Sequence, residues 1–328
     1  MNKYKRLVKW AGTSLILLSL IFIFYLLWKQ GEEVAGILND PGICKIFLAG
    51  VIFYSTISII LPLAWWMVLA KLESRHPTFL TCYWVYNKTQ IAKYLPGNVM
   101  NFVGRQIVAK TFHFKQFSVL IATVTEISSL VMATLMLSLF GIIFLEVNIN
   151  FIQQYEWIFY VFIVMSLVVF IGSIFIRRSP YFFEKLQKYF TGIPKNFLKL
   201  FMGICTVHVG YFLAMGIVFS LLSILILGMK TDKEIWVTLI LGYSFSWLIG
   251  FIAPGVPGGI GIREMGLTAI LSTVASSAEA LTIALFFRIV TVFGDLFSFF
   301  STYLIPKGAR ISLNQEWTKM AEDEESIL

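Results

Sequence analysis

Ala253-Pro254-Gly255-Val256-Pro257-Gly258-Gly259-Ile260-Gly261-Ile262-Arg263-Glu264 sets two prolines, four glycines and an adjacent Arg-Glu pair between apolar runs at residues 235–252 and 265–275. Proline removes a backbone donor and glycine favours turns, so a helix arriving at Ala253 has to break there. In hydrocarbon every freed amide and carbonyl needs a partner. A broken segment therefore persists only where protein buries it or where it lines a watery cavity. Charges placed in such a break mark a functional site by default.

A second break follows the same rule: Lys93-Tyr94-Leu95-Pro96-Gly97-Asn98, with Asn101 and Gly104-Arg105 just beyond it. Its flanking half-segments, residues 79–92 and 98–110, are each too short for a bilayer core that needs about 20 helical residues. Two Pro/Gly-broken re-entrant hairpins are expected, one in each half of the chain. That pattern is the sequence pointer to a transporter-like site between repeats.

The rest of the chain belongs in a membrane. Its 328 residues are 58% hydrophobic and 13% charged, with a mean hydropathy of +0.81, more apolar sequence than a soluble core absorbs. An all-α polytopic membrane protein is expected, with about seven spanning helices at residues 10–28, 46–70, 117–145, 157–176, 201–229, 235–252 and 280–305. One integral membrane domain is expected over residues 1–328, with inverted half-repeats over 1–155 and 156–305 and an acidic solvated tail over 306–328. The first run is too long for a cleavable signal, and no small-x-small site follows Trp28.

Charge placement orients the chain. Segments 1–9, 71–116, 177–200 and 306–328 hold 20 Lys and Arg, against 4 in segments 29–45, 146–156, 229–234 and 276–279. The positive-inside rule then puts both termini in the cytoplasm of a cell membrane. The first hairpin would enter from the cytoplasmic side and the second from outside, so that they point at each other. The net charge of +8 is thus an orientation signal and not a nucleic-acid footprint. Cys44, Cys82 and Cys205 suggest no disulfide framework, no metal-ligand spacing is present, and no cofactor is expected.

New helices should start after Gly97-Asn98 and after Gly258-Gly259, deep in the membrane, with free amides and positive dipole ends turned inward. Such ends suit an anion such as a lipid phosphate, and Arg263 and Arg105 add positive charge. Arg263 and Glu264 either pair with each other and pin the loop, or leave the arginine donors free for that anion. Arg288 and Asp295 lie two turns apart on one helix face, so each should meet another helix. Arg263, Glu264 and Glu126 are the candidate partners, and Glu126, Glu264, Arg288 and Asp295 are the candidate gating or coupling charges. An ionised Glu126 facing lipid would cost about 2.5 kcal/mol or more, so it should face inward and pair with an arginine or carry a proton. His208 is expected to be a packed, hydrogen-bonded residue.

Three protease-like fragments carry no weight. Gly242-Tyr243-Ser244-Phe245 has no histidine after it, Phe293-Gly294-Asp295 has Val292 where a first glycine belongs, and no H-E-x-x-H pair occurs.

The Ala253-Pro254-Gly255 break ending in Arg263-Glu264, the upstream Tyr94-Leu95-Pro96-Gly97 with Gly104-Arg105, the membrane Glu126 and Arg288 together resemble the lysylphosphatidylglycerol synthase transmembrane region family. This flippase-like family includes the membrane half of the multiple peptide resistance factor, and the resemblance covers roughly residues 5–305. Val256-Pro257 departs from the commoner, shorter form of the loop. The resemblance implies movement of aminoacylated or otherwise modified lipids between leaflets. It does not imply the synthase activity, because lysyl-transferring members carry a large cytoplasmic domain that uses aminoacyl-tRNA, and nothing up to Leu328 resembles it. The expectation is a translocator of an anionic phospholipid, an aminoacylated lipid or a lipid-linked sugar. The competing classes are a membrane transferase acting on a polyprenyl-phosphate sugar and a non-catalytic partner of an envelope synthase.

Overall fold

Proline and glycine positions explain where the helices stop and start. The computed structural model describes residues 21, 28, 41–73, 76–95, 99–144, 196–228, 232–253 and 256–305. The expected span at 10–28, apart from Ile21 and Trp28, the span at 157–176 and the tail from 306 lie outside the described residues. So do Pro96, Gly97, Asn98, Pro254 and Gly255.

Among the described residues, five helical stretches are long and apolar enough to cross a membrane. The first, Pro41–Leu72, consists of α1 (Pro41–Ser58) and α2 (Ile60–Leu72). Pro62 has no N–H to offer the Ser58 carbonyl four residues back, and the helix loosens to a turn at Ile59. After it come α3 (Phe79–Gln90), a 3₁₀ turn at Ile91–Tyr94, α4 (Met100–Lys110), α5 (Gln116–Phe144), α6 (Phe197–Leu227) and α7 (Lys233–Ile252). A second 3₁₀ turn at Pro257–Gly259, then α8 (Ile262–Leu271) and α9 (Ser277–Ser301), complete the described elements. The apolar runs at 46–70, 117–145, 201–229, 235–252 and 280–305 coincide with the five long stretches.

The first break lies between two short helices, and the second between the long α7 and the short α8. Thr78 opens α3 by accepting the Thr81 N–H at 3.3 Å, and α3 and α4 have 12 and 11 residues. In the second break, Gly258, Gly259 and Gly261 all take positive φ, at 57°, 72° and 84°. A side chain at any of them would be strained. The helix that was expected after Gly258-Gly259 starts at Ile262, with Arg263 in its first turn. The third glycine supplies the cap, and Glu264 accepts its N–H at 2.5 Å.

Membrane packing sorts the faces of α5 by inversion. Ala122, Glu126, Ser129 and Ala133 are buried at helical spacing, while Leu120, Val124, Met132 and Met136 are exposed. A polar stripe inward and an apolar stripe outward is the arrangement that lipid requires. Helix α6 is central, packing on α5, α7 and α1. Lipid offers no hydrophobic drive for such crossings, so close approach of small residues matters. A Cβ on Gly216 would lie 2.7 Å from the Ile240 carbonyl oxygen and 2.8 Å from its Cα. Gly216→Ala is accordingly expected to cost about 1–3 kcal/mol by forcing α6 and α7 apart. Thermal unfolding in detergent measures it, and an unchanged midpoint would show that the crossing has slack.

Candidate functional site: a charged cavity between the two breaks

The two broken segments meet. The 3₁₀ turns at Ile91–Tyr94 and Pro257–Gly259 are in contact, and a Cβ on Gly258 would lie 3.3 Å from the Tyr94 ring. Beside this junction is a cavity of about 90 Å³, room for several waters or a group the size of a phosphate. Its walls include Glu126, Arg263, Glu264, Arg288, Asp295 and Lys93. Burying that many charges is tolerable only where they are paired.

Among the described residues three ion pairs are formed. On α9, Asp295 takes three donors: Lys93 Nζ at 2.7 Å, the Tyr94 hydroxyl at 2.5 Å and the Tyr54 hydroxyl at 3.2 Å. Gly294 permits the last of these, because a Cβ there would collide with the Tyr54 ring. The close approach also lets Ser55 donate to the Gly294 carbonyl at 3.2 Å.

The second pair lies between α4 and α5. Arg105 donates to Glu126, whose other carboxylate oxygen accepts the Tyr86 hydroxyl at 2.5 Å. The Arg105 guanidinium lies 3.9 Å from the Tyr86 ring centroid and 5.3 Å from that of Trp65, and the residue is wholly buried. Arg105 is not among the residues lining the cavity, and it meets that space through the Glu126 carboxylate.

Glu264 carries the third pair. One oxygen accepts the Gly261 N–H and the other lies 3.4 Å from Arg288 Nε. Arg288 also donates from Nη1 to the Gly258 carbonyl at 3.2 Å, so α9 holds the second break by its backbone.

Arg263 is left over. Among the described residues it has no carboxylate partner, and its Nε is buried without a hydrogen bond. Its guanidinium lies 5.3 Å from the Trp247 ring centroid, a cation–π contact. The side-chain stem runs between Gly250 and Gly259, where a Cβ on either would strike it.

The pairing takes the second of the two arrangements expected of Arg263 and Glu264 and departs from expectation at Asp295. Arg263 and Glu264 do not bridge each other, because successive residues on α8 point about 100° apart and reach different neighbours. Asp295 meets Lys93, which was not among its candidate partners, while Arg288 and Glu126 find a glutamate and an arginine. Gly258 and Gly259 are present as close-approach positions, and Gly97 and Asn98 lie outside the described residues. Sequence reasoning misses Tyr54 and Tyr86 and gives Tyr94 no role beyond its place in the break, though a hydroxyl among buried charges is the signal that points to all three. His208 is buried and lies 2.8 Å from the Ser129 hydroxyl through Nδ1. Among the described residues no group of three His, Cys, Asp or Glu is placed to hold a metal.

A family model for the lysylphosphatidylglycerol synthase transmembrane region matches residues 10–297, spanning both breaks and every charge of the cavity. The chain belongs to this family. Membership and five apolar helices make it a multi-pass membrane protein with a lipid-related function in the cell envelope. No curated protein and no solved structure matches the chain. As a lysylphosphatidylglycerol synthase transmembrane region, it has its paired charges between two broken helices and not on a lipid-facing surface.

Proposed function

We propose that this protein moves a lipid headgroup between the leaflets of the cell membrane, with the cavity between the breaks as the place the headgroup occupies in passage. The observation that carries this reading is the uneven pairing of the buried charges. Three carboxylates each hold a cation, and Arg263 remains with a free donor beside the cavity. An unpaired arginine in low dielectric is costly unless an anion visits it, and its planar fork matches phosphate oxygens. The glycines at 258, 259 and 261 bring backbone close to the same space, and the start of α8 adds a positive dipole end. Glu126, Glu264, Arg288 and Asp295 then act as the charges that change partners as the cleft opens to one side or the other. Arg105 holds Glu126 in place.

Purified protein in vesicles should speed the leaflet exchange of an anionic or polyprenyl-linked lipid and leave the lipid chemically unchanged. Glu126→Gln should slow that exchange by weakening the Arg105 and Tyr86 contacts. A transferase would need a positioned acid, base or metal to activate its reactants. A new covalent product by mass spectrometry, with exchange no faster than in empty vesicles, would decide for a membrane transferase instead.

A further inference from the structure

Beside the Ser58 hydroxyl, the unfilled hydrogen-bonding groups that line the cavity are of two chemical kinds. Arg263 Nε and Arg288 Nη2 are buried donors without a partner. Gln90 Oε1 on α3 and Asn101 Oδ1 on α4 are buried carboxamide oxygens without a partner. All four residues line the cavity, and Arg288 and Asn101 are only 7% and 5% exposed. A carboxamide meets a hydroxyl in either of its two orientations, as donor or as acceptor. The charges narrow the choice further. Lys93, Arg263 and Arg288 line the cavity with Glu126, Glu264 and Asp295, and Arg105, bonded to Glu126 from behind, leaves the network one positive charge in excess. No lining carboxylate is free for an ammonium, since each already holds Arg105, Arg288 or Lys93.

We propose that the cavity selects a phosphodiester headgroup carrying hydroxyls and no amine, a glycerol or sugar phosphodiester. This rests on the reading that a headgroup enters the cavity. One phosphodiester charge neutralises the excess cation, its oxygens accept from Arg263 and Arg288, and the headgroup hydroxyls meet Gln90 and Asn101. A headgroup amine would arrive among three lining cations with no unpaired carboxylate left to receive it. A diphosphate would bring more charge than the site is short of.

The test uses the full chain in detergent and native mass spectrometry. Phosphatidylglycerol, a polyprenyl-phosphate hexose, phosphatidylethanolamine and lysyl-phosphatidylglycerol compete at equal concentration. The two hydroxylated, amine-free lipids should be retained at least about tenfold over the two amine-bearing ones. Asn101→Leu and Gln90→Leu should each reduce that preference several-fold, by about the strength of one hydrogen bond, with the unfolding midpoint unchanged. Should Asn101→Leu not fold, Gln90→Leu alone carries the same measurement. Equal or stronger retention of the amine lipids overturns the proposal, as does displacement of the lipids by millimolar inorganic phosphate, which would make the ligand a free anion. Leaflet exchange in vesicles separates the two levels. Accelerated exchange with no headgroup preference sinks the selectivity and leaves translocation standing. Selective retention without accelerated exchange does the reverse.

Discussion

Arg105→Met should destabilise the folded protein by about 3–5 kcal/mol, the scale seen when one member of a buried ion pair is removed. Arg105 is 0% exposed and Glu126 2% exposed, so the stranded carboxylate would have only the Tyr86 hydroxyl to satisfy it. The double variant Arg105→Met with Glu126→Gln should recover most of the loss, because it removes the uncompensated charge and keeps the volume nearly constant. Thermal or denaturant unfolding in detergent measures both. If the single and double variants lose the same stability, the two residues are not coupled, and the packing of Arg105 against Trp65 and Tyr86 accounts for the whole effect.

Arg263→Lys should behave in the opposite way, slowing leaflet exchange by about tenfold or more while barely moving the unfolding midpoint. Lysine retains the charge but loses the planar fork that grips two oxygens, along with the flat face that lies against Trp247. Stability should hold because no carboxylate depends on Arg263 among the described residues. Glu264 already has Arg288 and the Gly261 N–H as partners. A variant that unfolds readily, or one that exchanges lipid at the unaltered rate, would remove Arg263 from the binding role.

The contrast between these two arginines shows what sequence carries and what it does not. The breaks were legible because proline and glycine act on the backbone where they stand. Even the start of α8 had a signal, since Gly261 and Glu264 have the spacing of an N-cap and the N3 acid that reaches back to it. The inward position of Glu126 followed from the cost of charge in lipid. Partner choice was another matter. Tyr94 and Asp295 are 201 residues apart, and only the packing of the first 3₁₀ turn on α9 brings them together. Gly250 and Gly294 look like ordinary helix spacers in the sequence. Their use emerges only with Arg263 threaded past one and Tyr54 laid on the other. The gap between Arg105 and the cavity wall depends likewise on where α4 and α5 cross, which no local pattern records.

Helix α9 has one further consequence. It holds Asp295 against the first break and Arg288 against the second, about 10 Å apart along a single rigid rod. A turn or slide of that rod pulls at both anchors together, while movement of either break alone tears one anchor and leaves a bare charge behind. The two halves of the site are therefore geared to one shaft, and the low-energy motion is the one in which both let go and both re-engage.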